Sequence, residues 1–196
     1  MSKIKICGLR REQDIDYVNE LKPDFVGFIL TAGFRRSITR ETAKALKARL
    51  SKEITAVGVF VNESAETVNS FVTEGIIDIA QLHGNESPEL CKKINAPVIK
   101  FLKCDDDVPK KISNYENAVD YFLFDSGTGT GSTFDWSKIP KTERPFFLAG
   151  GLGADNLKRA IEEINPFAVD LSSSVETDGV KDYEKIKTVT EIVKNE

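Results

Sequence analysis

A thiol and a carboxylate stand where two short apolar runs of this chain end. Cys7 closes the run that starts at Lys3 and is followed at once by Gly8, and Asp125 closes the apolar run Val119–Phe124. Most free cysteines are small buried hydrophobes. At the carboxyl end of a strand that opens onto a pocket, however, a thiolate can serve as base or nucleophile. No histidine lies close in sequence to activate a nucleophile, which favours the base. Asp125 is suited to hold a proton and deliver it as the matching acid, the plainer alternative being a carboxylate that caps the next loop. A different chemistry is written into PFFLAGGLGADNLKRAIEEINPFAVDLSSSVE, Pro145–Glu176. There Gly150–Gly151 and Ser172–Ser173 end two apolar runs in successive turns. Amides and hydroxyls that converge in this way suit the oxygens of a phosphate monoester.

The elements that must position these groups repeat along the chain. Strands are expected at Lys3–Ile6, Asp24–Leu30, Ile54–Val61, Ile76–Leu82, Pro97–Leu102, Val119–Phe124, Phe146–Ala149 and Phe167–Leu171. Between them, helical faces recur, such as Ile15–Val18–Leu21, Ala43–Leu46–Leu50 after a Thr39 cap, and Leu157–Ala160–Ile161–Ile164. Ser87-Pro88 opens another helix, and a short one is expected over Asp135–Ile139. Residues 126–134, SGTGTGSTF, read as a mobile active-site loop or a plain polar linker. Eight β/α units of about 24 residues each predict a (β/α)8 TIM barrel, an α/β fold in one domain spanning residues 1–196.

In such a barrel the polar residues just past each strand face one pocket. They are Cys7, Arg35/Arg36, Asn62, Gln81/His83, Lys103, Asp125, Gly150/Gly151 and Asp170/Ser172–Ser174. His83 is a ligand contact or a brace for its loop. The chain holds one histidine and three cysteines without a CxxC pair, so neither a zinc site nor a disulfide framework is expected. A formal charge of -4 without a basic stripe argues against nucleic acid. No apolar stretch reaches membrane-spanning length. The expectation is a cytoplasmic monomer, a homodimer remaining open, that binds a small phosphorylated molecule without metal or cofactor.

Six segments carry a resemblance: KICGLR (Lys5–Arg10), GVFVNE (Gly58–Glu63), QLHGNE (Gln81–Glu86), FDW (Phe134–Trp136), AGGL (Ala149–Leu152) and PFAVDLSSSVE (Pro166–Glu176). In this order and spacing the chain resembles the phosphoribosylanthranilate isomerases of tryptophan biosynthesis. The resemblance implies a (β/α)8 barrel that performs an Amadori rearrangement of N-(5-phosphoribosyl)anthranilate with neither metal nor cofactor. It implies Cys7 as the base at C2′ and Asp125 as the acid at the ring oxygen. Arg36 would hold the anthranilate carboxylate, Asp170 would contact a substrate hydroxyl or amine, and backbone groups at Gly150–Gly151 and Ser172–Ser173 would hold the phosphate. Gln81 and His83 complete the expected contacts. The chain departs from the family where the second loop reads FRRS, so that Arg35 competes with Arg36, and where Ser174 replaces a glycine. Other readings are a dual-substrate isomerase that also serves histidine biosynthesis, another phosphosugar barrel, and a barrel that binds phosphate without turnover.

Overall fold

The computed structural model describes residues 2–125 and 135–196. Eight parallel strands close a barrel in chain order: β1 (Lys3–Cys7), β2 (Phe25–Ile29), β3 (Thr55–Phe60), β4 (Ile79–Leu82), β5 (Val98–Lys103), β6 (Tyr121–Asp125), β7 (Phe146–Leu148) and β8 (Ala168–Leu171). β8 pairs back onto β1, with Lys5 opposite Asp170. Around it lie α1 (Glu12–Leu21), α2 (Arg40–Arg49), α3 (Ala65–Thr73), α4 (Pro88–Cys91), α5 (Val108–Tyr115), α6 (Leu157–Ile164) and α7 (Tyr183–Lys194). Among the described residues of the connection from β6 to β7, a short 3-10 helix spans Trp136–Lys138, within the Asp135–Ile139 stretch where a short helix was expected. The stretch 126–134, read as a loop from sequence, lies outside the described residues.

Two buried layers account for the closure. Strand side chains alternate between faces, and Phe25, Val57, Ile79, Ile99, Leu123, Phe147 and Ala168 fill the barrel interior. The residues between them, among them Ile4, Ile6, Val26, Phe28, Phe122 and Phe124, point outward and pack beneath the helices. From α7, Ile186, Val189 and Val193 are buried in that outer layer, each contributing about 1.5–3 kcal/mol by leaving water. The helices start where polar caps allow. Thr39 and Ser64 accept the amides of Thr42 and Thr67, and Ser87 accepts that of Leu90 ahead of Pro88.

Strand four begins later than its apolar run suggests. Ile76 donates its amide back to Phe71 O, closing the end of α3, so Ile76 and Ile77 pack as loop residues before β4 begins at Ile79. One feature of the barrel's amino-terminal face recurs. The carboxylates of Asp24, Asp78 and Asp120, each just ahead of an even-numbered strand, accept the amides of Ile4, Ala56 and Val98 on the preceding odd-numbered strand at 2.9, 2.7 and 2.8 Å.

After β8 the chain makes a 3-10 turn over Ser173–Val175 and then a hairpin, β9 (Glu176–Thr177) and β10 (Val180–Lys181). Asp178 and Gly179 form its turn with φ of 51° and 77°, the left-handed pair that a two-residue hairpin requires.

Candidate active site

At the carboxyl end of the barrel a cavity of about 710 Å³ is lined by most of the residues read from sequence as facing the pocket: Cys7, Arg36, Gln81, His83, Asp125, Gly150, Gly151, Asp170, Ser172, Ser173 and Ser174. The pleat explains the convergence. Cys7, Gln81, Asp125 and Asp170 each lie two residues beyond an inward-facing position, at Lys5, Ile79, Leu123 and Ala168, so they continue the interior layer into the cavity. Asn62 and Lys103, also at strand ends, do not line it. The carboxamide oxygen of Asn62 instead accepts the amide of Asn85 at 2.7 Å. A groove of about 780 Å³ beside α5 lies away from all of these residues.

Cys7 is 8 % exposed, and Gly27 opposite it leaves its space, since a Cβ there would sit 2.6 Å from the sulfur. Burial pushes the thiol up from its usual value. The ammoniums of Lys5 and Lys181 pull it down, and Asp170 pushes it up again. The resting group is therefore a thiol at neutral pH, whereas the chemistry read from sequence needs a thiolate.

Asp170 accepts from Lys5 Nζ at 2.8 Å, and its other oxygen, Oδ1, is buried without a hydrogen-bond partner among the described residues. Burial raises the Asp170 carboxyl, with Lys5 opposing. His83 stacks on Phe101 with ring centroids 4.2 Å apart, and its Nδ1 lies 3.0 Å from the Gln81 amide nitrogen. Burial lowers its pKa to about 4, against the pull of Asp125, so the ring is neutral.

Of the two arginines, Arg36 lines the cavity and Arg35 does not. Both bind Glu176: Arg36 in a fork, Nε to Oε1 at 2.6 Å and Nη2 to Oε2 at 3.0 Å, and Arg35 at 2.6 Å. Arg36 also crosses close to Gly8, where a Cβ would meet its Cδ at 2.6 Å. Glu176 and Lys181, missed from sequence, face each other across the hairpin, with Lys181 Nζ 2.9 Å from Glu176 Oε1 and 2.8 Å from Ser172 O. The signal that could have found them is Asp178-Gly179 between two short extended runs. Lys5 was missed too. So was Phe34, on the loop carrying Arg36, which lines the cavity at 48 % exposure.

The turn after β7 passes through φ of 85° at Gly150 and 66° at Gly151, left-handed backbone that favours glycine, and both residues line the cavity. Asn156 braces this turn, accepting the Gly153 amide at 3.0 Å and donating to Gly151 O at 2.9 Å. Ser172 donates its hydroxyl to Cys7 O at 3.0 Å, tying the second turn to the thiol's strand. Ser174 is not among the residues with positive φ, so its replacement of a glycine introduces no backbone strain.

Over residues 4–192 the chain matches the family model of N-(5'-phosphoribosyl)anthranilate isomerase. The chain belongs to this family. A relative from Thermoanaerobacter sp. (strain X514) named N-(5'-phosphoribosyl)anthranilate isomerase is 44% identical, covering 99% of this chain and 98% of its own. The crystal structure of the Thermotoga maritima phosphoribosylanthranilate isomerase is 35% identical over all of both chains, with a TM-score of 0.91. A phosphoribosylanthranilate isomerase solved with reduced 1-(o-carboxyphenylamino)-1-deoxyribulose 5-phosphate is 32% identical over all of both chains, with a TM-score of 0.85.

Proposed function

We propose that Cys7 and Asp125 are the base and acid of the phosphoribosylanthranilate isomerase reaction in this chain. The activity is that of the family, the Amadori rearrangement of N-(5'-phosphoribosyl)anthranilate in tryptophan biosynthesis. One observation carries the assignment of roles: a single cavity joins two Gly/Ser turns, a forked arginine, a thiol and a carboxylate. The substrate has a phosphate at one end and an anthranilate carboxylate at the other. Amides at Gly150–Gly151 and Ser172–Ser173 take the phosphate, and Arg36 takes the carboxylate, with Phe34 beside it for the aromatic ring. A ligand bearing both ends occupies the related structure solved with the reduced product.

Held at both ends, the substrate presents its reacting carbons to groups on different strands, Cys7 on β1 and Asp125 on β6. Asp125 gives its proton to the ring oxygen while the C1′–O bond breaks and the nitrogen lone pair forms the iminium. Ionised Cys7 then takes the C2′ proton. The C–H electron pair becomes the C1′–C2′ double bond and neutralises the nitrogen. Loss of the C2′ hydroxyl proton and protonation at C1′ give the amino ketone. Asp170 contacts a substrate hydroxyl or amine through Oδ1, and Gln81 and neutral His83 line the wall beside it. Binding energy from the two charged ends keeps the reacting atoms in register.

The reaction is read as needing side chains alone, with no metal or cofactor. Freshly made phosphoribosylanthranilate should lose its fluorescence when purified protein is added, at a rate unchanged by extended EDTA treatment. No fluorescence decay would contradict the assignment, and a rate restored only by divalent ion would contradict the metal-free reading. The chain is taken as a cytoplasmic monomer, consistent with Phe34 being the one exposed large hydrophobic among the described residues and facing the cavity mouth. The Thermotoga maritima relative is described as dimeric, and sedimentation of this protein decides its own state.

A further inference from the structure

Beneath the thiol the barrel buries a charge that the reaction scheme above does not use. Lys5 lies two residues before Cys7 on β1, on the same inward face, and none of its side chain is exposed. Its ammonium donates to Asp170 Oδ2 at 2.8 Å, and its charge pulls the Cys7 thiol down. Other inward positions of the barrel are filled by Phe25, Val57, Ile79, Ile99, Leu123 and Phe147. An ammonium among them loses several kcal/mol of hydration, and an apolar side chain of equal length would fill the space without that loss.

The ion pair does not saturate its carboxylate, since Asp170 Oδ1 is buried without a partner among the described residues. One ammonium thus pairs with a carboxylate on β8 and acts by its charge on a thiol on β1. The other charged or titratable groups near the thiol come from different elements: Lys181 on β10, Asp125 on β6, His83 after β4 and Arg36 after β2. His83 is neutral, and Arg36 is tied in its fork to Glu176. Lys181 is likewise engaged by Glu176 and by Ser172 O. Lys5 is the cation placed to answer a negative charge on sulfur.

We propose that Lys5 is a positioning residue for the base: its ammonium, shared between Asp170 and Cys7, makes the thiolate accessible, and the Asp170 carboxylate opposes it. The inference rests on Cys7 being the base, and it explains how a buried thiol reaches the state the reaction needs. As the sulfur loses its proton, the ammonium turns from a carboxylate pair into a bridge between two anions. As sulfur takes the C2′ proton, the pair with Asp170 is restored. The three groups are neutral while the sulfur holds a proton and carry one net negative charge once it is a thiolate.

The test reads the thiol directly. The intact enzyme is alkylated with iodoacetamide across a pH series, and the rate at Cys7 is followed on its own peptide by mass spectrometry. Cys91 and Cys104, with pKa values pushed up by burial to about 11 and about 12, fall on other peptides. Lys5→Met should move the Cys7 midpoint to higher pH, with alkylation at mildly alkaline pH slowed about tenfold for each pH unit of movement. Asp170→Asn should move the midpoint to lower pH, because it leaves the ammonium to the sulfur. A pair that serves only to hold the fold predicts no such opposition of sign. Shifts in the same direction, or none, overturn the proposal. If Lys5→Met does not fold, Asp170→Asn decides by itself, and a midpoint that fails to fall overturns the proposal. Turnover of Cys7→Ser keeps the two readings apart. Full activity there removes the base assignment whatever alkylation shows, whereas lost activity with unmoved midpoints removes only the role of Lys5.

Discussion

Glu176 shows how a residue outside the cavity can hold one that lines it. Its two oxygens accept from Arg35, Arg36 and Lys181, and against burial, which raises its carboxyl, Arg36 and Lys181 hold it well below the usual range, at about 2 against 4.5. A folded-state value below the unfolded one stabilises the protein above pH 4.5, and that stability is lost as pH falls toward 2. Glu176→Gln should therefore lower the urea midpoint at neutral pH, by roughly 2–3 kcal/mol of stability, and the gap to the parent should close between pH 4.5 and 2. A gap that stays constant over that window contradicts the assignment. The same fork aims Arg36. Arg36→Ala should lower kcat/KM by roughly 10- to 100-fold, mostly through KM, as expected for a lost charge-assisted contact. Arg35→Ala, whose side chain is 64 % exposed outside the cavity, should stay within about threefold. The reverse order in steady-state rates would move the carboxylate contact to Arg35. Neither Glu176 nor Lys5 was legible from sequence. Glu176 meets Arg36 across 140 positions, and Lys5 in KIKIC looks like the wet face of an alternating strand. Only closure of the barrel turns that face inward.

At the scale of elements, the two ends of the strands divide the work. The carboxyl ends carry the cavity, and the amino ends carry the three aspartates that accept amides from the neighbouring strand. Holding a strand's start in this way is a matter of stability rather than chemistry in such barrels. Asp120→Ala leaves the Val98 amide without its 2.8 Å acceptor and should cost about 1–3 kcal/mol in urea unfolding. Its kcat should stay within about twofold of the parent. A stable variant with a damaged kcat would mean that this end of β5 and β6 communicates with the site. Strand and helix order were legible because apolar runs alternate with helical faces along nearly the whole chain. The amino-terminal boundaries were less so, as Ile76 and Ile77 show: both are buried, but hydrogen bonding to the end of α3 keeps them out of β4. The hairpin after β8 is too short for its composition to stand out, and it is betrayed only by Asp178-Gly179.

For the molecule as a whole, the barrel converts positions that are remote in sequence into neighbours around one cavity. That Cys7 and Asp125 line one cavity was legible because both end apolar runs, and a closed parallel sheet leaves such residues one place to point. What sequence did not disclose was the state of the thiol. Whether burial or the nearby cations prevail depends on a three-dimensional count of charges around sulfur, and burial prevails at rest. The central claim is that this pair performs the two proton transfers, and it is tested most directly by separating turnover from binding. Steady-state rates with synthesised phosphoribosylanthranilate are to be measured beside calorimetric titration of a reduced product analogue, for Cys7→Ser and Asp125→Asn. Each variant should lose roughly 10²–10⁴ in kcat, the contribution of a positioned acid or base, while binding the analogue within about tenfold of the parent, the mark of an interaction made mainly in the transition state. A Cys7→Ser enzyme whose kcat stays within about threefold of the parent, far short of that contribution, would leave Cys7 a packing residue and contradict the account.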